Sequence, residues 1–324
     1  MRDLRPCVPR PARRTLVNVS TTFQPETLRR VVELAGRAPS VENTQPWHWR
    51  ATRAGLELHA DGGRRLRATD PLGRNMVMSC GAALHHFRVA AAALGWQADV
   101  DRVPDRSDTS LLARIELRPG PPSERAAIDL RTIAERCTDR RRFTSWPVPG
   151  EVLQHLAHLA SAQGTGAVPL LAVTERVRAE LLVGRASERQ SADPLTAVDR
   201  QVEGSDGLIL LSSGSDDAAA WLRAGEGLSA LWLAATAQGV SVVPLSEVVE
   251  VAETRQALRH EVLDGLSHPL LLVRIGWQEI SRSQVPRTDR RPVDDVLDCA
   301  EPCAEPCAEP WAEDRDAESR VPTG

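Results

Sequence analysis

Two stretches of the chain set a helical period. In Glu26–Ala35 the apolar residues Leu28, Val31, Val32 and Ala35 recur at i, i+3, i+4 and i+7, which is one face of an α-helix. Glu151–Ala160 repeats the pattern with Leu153, Leu156, Ala157 and Ala160. Apolar runs rich in branched residues predict strands at Trp49–Leu58, Leu112–Leu117, Val168–Val173, Gly207–Leu211 and Leu270–Ile275. Helices alternate with them, so the predicted class is α/β or α+β.

The pattern also repeats. Cys80-Gly81-Ala-Ala-Leu84 runs on to Gly95, and Ala224-Gly225-Glu-Gly-Leu228 runs on to Gly239; in both the outer glycines lie 14 residues apart. Each stretch reads as a helix stopped by glycine and followed by an extended segment. The small residues Gly81, Ala82, Gly225 and Gly227 let a neighbour pack close. Thr138-Asp-Arg-Arg141 is echoed by Thr288-Asp-Arg-Arg291. With the pair of amphipathic helices, these are three echoes in one order, which predicts an internal duplication: 23–131 as one half and 132–298 as the other. Residues 1–22 and 299–324 lack this patterning and are expected to be disordered ends. The last contains three tandem copies of Cys-Ala-Glu-Pro from Cys299. Cys299, Cys303 and Cys307 are therefore read as members of a low-complexity repeat rather than as metal ligands.

Composition narrows the chemistry. A chain of 324 residues, 42% hydrophobic, is long enough for one large or two medium domains with a real core. Its net charge of -4 argues against nucleic acid as a main partner. No apolar run is long enough to span a bilayer, and the basic start Met1–Arg14 has no apolar core behind it, so a cytoplasmic protein is expected. Tyrosine is absent, and every basic residue apart from histidine is arginine, because the chain has no lysine. A Schiff-base lysine, a Walker lysine and a Tyr/Lys proton relay are excluded.

Common catalytic patterns are missing: no G-x-G-x-x-G after a strand, no G-x-S-x-G and no H-E-x-x-H. His155 and His158 read as the solvated face of a helix, and His85-His86 as a pair of which one packs in the core. What remains is Arg37-Ala-Pro39-Ser40-Val-Glu-Asn43-Thr-Gln45-Pro46-Trp47, a helix stop followed by a tight polar turn. Its Ser, Asn and Gln side chains offer the donors and acceptors that a flat heterocycle requires. On chemistry alone, a ligand loop and a capped turn stand level.

The segment Ala-Pro-Ser-x-x-Asn-x-Gln-Pro-Trp resembles the flavin-contacting loop of the nitroreductase superfamily. Ala68-Thr-Asp-Pro-Leu-Gly-Arg74, Ser79-Cys-Gly-Ala-Ala-Leu-His-His86, Thr138-Asp-Arg-Arg-Arg-Phe143, Trp221-Leu-Arg-Ala-Gly225, Val273-Arg-Ile-Gly276 and Arg290-Arg-Pro-Val-Asp-Asp-Val-Leu297 resemble its Acg-like branch of FMN-binding oxidoreductases. The resemblance spans about 23–298. It implies a nitroreductase-like α/β (α+β) fold whose two halves form an intrachain pseudo-dimer, monomeric or weakly dimeric as a whole. It also implies one composite FMN site. Pro39, Ser40, Asn43 and Gln45 of the first half would meet the ring. Arg136, Thr138, Arg140, Arg141, Arg290 and Arg291 of the second would meet the phosphate, with the inward member of each adjacent arginine pair left open. Pro244, Leu245, Ser246 and Glu247 would lie near flavin N5, and Arg200 would bring a cation near the flavin. The second half's counterpart loop, Ser161–Gly166, has lost the Pro-Ser-x-x-Asn pattern. The implied activity passes electrons from NAD(P)H through FMN to a nitro, quinone or similar small acceptor; the alternative is a protein that only stores FMN.

Overall fold

The computed structural model describes residues 24–52, 55–105, 107–190, 206–278 and 287–299. Arg200 and all but the start of the Cys-containing tail lie outside them. The first half opens with α1 (Pro25–Ala35), then the strands β1 (Trp47–Thr52) and β2 (Gly55–Ala60). The long helix α2 (Arg74–Ala93) leads to β3 (Trp96–Arg102) and β4 (Leu111–Pro119). After α3 (Ala126–Glu135) the second half gives α4 (Gly150–Ser161), β5 (Gly166–Pro169) and α5 (Val173–Gln190). There follow β6 (Gly207–Ser213), the long helix α6 (Ala218–Ala237), β7 (Ser241–Leu245), α7 (Glu247–Glu250), α8 (Ala252–Glu261) and β8 (His268–Gly276). A short last strand, β9 (Leu297–Cys299), returns to the first half. The expected junction at 131/132 falls inside α3.

The two halves share a wiring pattern. One sheet runs β3-β4-β2-β1-β9 and the other β7-β8-β6-β5. In each, a helix-flanked antiparallel pair (the hairpin β1–β2, and β5–β6 with α5 between its strands) pairs through its second strand with the later strand of the pair that follows the long helix. All these pairings are antiparallel; only β9 on β1 is parallel. Glycine ends both long helices in the left-handed region, Gly95 at φ 82 and Gly239 at φ 72, and a strand starts within two residues of each.

The long helices form the centre and cross through the glycines that the sequence pattern singled out. A Cβ on Gly81 would strike the Leu222 carbonyl oxygen, and one on Gly225 the Met78 carbonyl oxygen. Both contacts fall far inside the 3.0 Å that Cβ atoms tolerate, so neither position accepts a side chain without moving backbone. Around this crossing, Trp49 stacks on Phe87 at 4.9 Å in the first core, and Ile209, Leu231, Val273 and Ile275 fill the second. Among the described residues, no helix is long and apolar enough to cross a membrane.

Two strand expectations need correction. Trp49–Leu58 is not one strand but parts of a hairpin, with Thr52 opposite Gly55. Trp47 and Trp49 are buried at odd positions and Leu56 and Leu58 at even ones, so the alternation changes phase at the reversal, and that phase change is the signal a single-strand reading passes over. The run Val168–Val173 ends as a strand at Pro169, and Val173 already starts α5. Val173 is 64% exposed there, with no sheet neighbour to favour a strand.

Candidate active site

The loop between α1 and β1, residues 36–46, is held in an unusual shape. Glu42, Asn43 and Gln45 all have positive φ, at 46°, 55° and 47°. Such non-glycine residues each cost roughly 1–2 kcal/mol and persist only where surroundings hold them. The Val41 amide donates to Ser79 Oγ on α2 at 3.1 Å, and the Gln45 amide to Ser40 Oγ at 3.0 Å. From the other side comes the segment before β9. Asn43 Nδ2 donates to the Asp289 carbonyl at 3.1 Å, Arg290 Nη1 donates to Asn43 Oδ1 at 3.1 Å, and the Arg291 amide donates to Gln45 Oε1 at 2.8 Å.

The second half contributes an arginine-rich segment that is clamped as firmly. Asp139 accepts from the Arg141 amide and its guanidinium, and Arg274 donates to the Arg141 carbonyl at 3.2 Å. Phe143 lies under Gly276, where any Cβ would collide with its ring, and takes the Arg274 guanidinium on its face at 4.5 Å.

Between these segments lie two cavities that share a wall. The larger, about 620 Å3, is floored by Met78, Ser79 and Ala82 of α2 and by Leu228 and Trp232 of α6. Pro39, Ser40 and Glu42 close one side, and Pro244, Ser246 and Glu247 another. At its far end Asn75 Nδ2 donates to Glu250 Oε1 at 2.6 Å. This volume lies within the range of small-molecule pockets, ~300–1,000 Å3. The smaller cavity, about 360 Å3, is lined by Arg37, Arg136, Arg140, Arg287 and Arg290 together with Asn43, Cys137, Thr138 and Thr288. Pro39, Ser40, Glu42, Thr138 and Arg140 line both.

Arg136 is the centre of the charge. It is only 6% exposed, lies over the Trp232 ring at 4.8 Å, and donates one bond, to the Arg37 carbonyl at 3.1 Å. Its buried Nε and Nη1 have no hydrogen-bond partner. Burial, with the neighbouring Arg290 charge, pushes its pKa down to about 9. Burial and Arg37 likewise lower that of Arg290. A buried guanidinium with open donors and like charges around it is a binding position for an anion. The two adjoining spaces, one partly apolar and one cationic, suit a ligand with an aromatic body and an anionic end.

The expected site residues fall into three groups. Pro39, Ser40, Thr138, Arg140, Pro244, Ser246 and Glu247 line the large cavity, and Arg136, Asn43 and Arg290 line the cationic one. The Asn43 amide is bonded to the Asp289 carbonyl and to Arg290. Gln45, Leu245, Arg141 and Arg291 line neither cavity. Gln45 ties down the segment around Arg291, whose guanidinium donates to the Gln45 and Asp295 carbonyls. Leu245 is core, and Arg141 turns back onto Asp139. Of the adjacent arginines, Arg140 and Arg290 line the cavities, while Arg141 and Arg291 do not. Sequence reading missed Asn75, Trp232 and Glu250 as wall residues and Arg274 as a clamp. The helical spacing of Asn75, Met78, Ser79 and Ala82 is the signal that places them on one face. Both His85 and His86 are buried, sharing Ser229 Oγ at 2.8 Å each. His155 and His158 are exposed, as expected.

No protein-family model matches the chain. Two proteins of Mycobacterium tuberculosis resemble it over most of its length. One, provisionally named an NAD(P)H nitroreductase, is 35% identical over 320 residues, covering 85% of this chain and 92% of its own. The other, provisionally named NAD(P)H nitroreductase acg, is 32% identical over 322 residues, covering 86% and 97%. Among solved structures, a nitroreductase with bound FMN from Desulfitobacterium hafniense superposes with a TM-score of 0.41 at 19% identity, covering 53% of this chain and 97% of that one. A nitroreductase with bound FMN from Bacteroides fragilis gives 0.40 at 16% identity, covering 50% and 94%.

Proposed function

Since this chain belongs to the nitroreductase superfamily, alongside Acg, we propose that its joined cavities hold one FMN per chain and serve an NAD(P)H-dependent reductase of small acceptors. The observation that carries the cofactor assignment is Arg136: a buried guanidinium with two unpaired donors, lining an arginine-rich space that shares a wall with the larger, partly apolar one. A phosphate dianion supplies the acceptors those donors lack, and planar guanidinium groups grip it in pairs. Arg136, Arg140, Arg290 and Thr138 would hold the phosphate. The ring would lie over Ala82, Leu228 and Trp232, against Pro39 and Ser40 on one side and the Pro244–Glu247 turn on the other. Bound there, FMN supplies hydride and electron transfer between NAD(P)H and an acceptor such as a nitro compound or a quinone. The protein's own part is to orient the ring, neutralise the phosphate and keep water from the floor.

The shared wiring of the two sheets and the reciprocal glycine contacts of α2 and α6 support a duplicated origin for the halves. The single site fits it: Pro39 and Ser40 come from one half, the phosphate arginines and the Pro244–Glu247 turn from the other. Neither cavity is lined by any of residues 161–166.

Purified protein should be yellow, release FMN rather than FAD on denaturation, and oxidise NADH or NADPH when a quinone or nitroaromatic is supplied. Colourless protein that fails to take up added FMN overturns the cofactor assignment. Flavin retained without turnover over a panel of acceptors overturns the reductase and leaves a storage protein.

A further inference from the structure

Cys137 stands between Arg136 and Thr138 in the cationic cavity and is exposed. Among the described residues Cys80 is buried, and Cys299 is exposed on β9, away from both cavities. The next residue back in the chain, Arg136, has open donors in the same cavity. An anion built onto the sulfur would enter the cavity that Arg136, Arg140 and Arg290 line.

We propose that Cys137 is an oxidant-sensitive thiol whose conversion to sulfinate occupies the anion end of the cavity and expels the phosphate group of the bound ligand. The oxidant class is a hydroperoxide. The thiolate sulfur attacks one peroxide oxygen, the O–O bond breaks, and the departing hydroxide takes up the sulfenic proton to leave as water. The sulfenate formed repeats the step with a second peroxide. Two peroxides become two waters and the sulfur gives up four electrons in all, leaving a sulfinate with one negative charge. That charge sits where the phosphate dianion needs bare cations. It both competes for Arg136 and repels the incoming group. The proposal rests on the reading that this cavity takes a phosphate.

The test uses the full-length protein freed of flavin, before and after hydrogen peroxide. Binding of FMN and of inorganic phosphate is titrated, and peptide mass mapping locates the oxidised residue. Untreated protein is expected to bind FMN; peroxide should place the sulfinic mass on the Cys137 peptide and weaken FMN binding about tenfold or more, the scale of one lost charge-assisted contact. Bound phosphate should slow the oxidation. Cys137→Ser should give the same FMN affinity with and without peroxide, which separates Cys137 from any oxidation of Met78. Cys137→Asp, a fixed anion, should bind FMN weakly with no oxidant. Sulfinate at Cys137 with FMN affinity unchanged overturns the proposal, as does an equal peroxide effect in Cys137→Ser. Failure of untreated protein to bind FMN or phosphate instead overturns the cofactor reading on which it rests.

Discussion

The two sides of the α2–α6 crossing differ in what fills them. His85 and Ser229, which touch, are 144 residues apart, and Gly81 and Gly225 have the same spacing. At that spacing Ala82 on the cavity floor corresponds to Glu226, Trp232 to Arg88, and Ser246 to Arg102. On the first side these positions surround open space. On the second, Glu226 is wholly buried, takes Arg102 Nε and Nη2 on its two oxygens at 2.7 and 2.8 Å, and takes Arg88 Nη1 at 3.0 Å. Arg88 also donates to Gln163, in the short counterpart loop 162–165. One crossing geometry therefore supports a hollow on one side and a charged plug of three side chains on the other. The plug gives the second side a reason to exist without a ligand: it satisfies buried polar groups that an empty copy of the pocket would leave open.

The largest expected effect tests the crossing itself. Gly225→Val and Gly81→Val should yield no folded protein, and the alanine variants should each lose about 3 kcal/mol or more in urea unfolding, because the added carbon meets a backbone oxygen. Equal losses would support two-sided equivalence; a cost below about 1 kcal/mol at either glycine would break it.

Removing the plug's anion comes next. Glu226→Gln leaves Arg88 and Arg102 facing each other and should cost about 3 kcal/mol, the low end for a broken buried pair because both arginines keep some water. Replacing Arg88, Glu226 and Arg102 together by alanine should still leave a stoichiometry of one FMN. A second FMN in that variant would show that the plug alone suppresses a site.

The adjacent arginines sharpen the comparison at smaller scale. Arg140→Ala should weaken FMN binding ~10- to 150-fold. Arg141→Ala, whose guanidinium is already paired with Asp139, should change it only a few-fold. Ser161→Ala and Gln163→Ala, on the plugged side, should leave affinity unchanged. Calorimetric titration distinguishes these, and equal effects of Arg140 and Arg141 would refute the assignment of their directions.

The smallest effect is a pH dependence. The unfolded chain holds the Arg136 proton more tightly than the folded chain, where its pKa is about 9. The unfolded state therefore binds more protons above that pH, and flavin-free protein should gain stability as pH rises through about 9, relative to Arg136→Met. Below it the charge penalty is fully present. Saturating phosphate should flatten the difference, and an equal pH slope in the variant would remove Arg136 as its source.

How much of this could be read from the sequence depended on distance along the chain. Helices α1 and α4 and the glycine stops of α2 and α6 were legible, because helical period and left-handed glycine are local signals. The hairpin from Trp47 to Ala60 was not, since only a shift of the buried positions from odd (Trp47, Trp49) to even (Leu56, Leu58) marks its reversal. The loop from Pro39 to Gln45 was recognisable as polar and constrained. That Asn43 and Gln45 spend their amides on a segment some 246 residues later was not, because residue type reveals donors and acceptors but not their partners. The plug illustrates the same limit: Arg88, Arg102 and Glu226 read as ordinary charged residues until the fold brings them together.

The pairing of β9 on β1 has a consequence for the order of synthesis. A flanking hydrogen bond joins His48 to Asp298, 250 residues apart. At a ribosomal pace of about 5–20 residues per second, the first sheet waits on the order of 10–50 s for its edge strand, and the cationic cavity waits nearly as long for Arg290. Until then β1 exposes an unpaired edge while the second half is still being made, a window in which a nascent chain is open to wrong pairing. Slowing translation after residue 213, once β1–β2 and β5–β6 have been made, should therefore lower the yield of flavin-competent protein more than slowing it before residue 47.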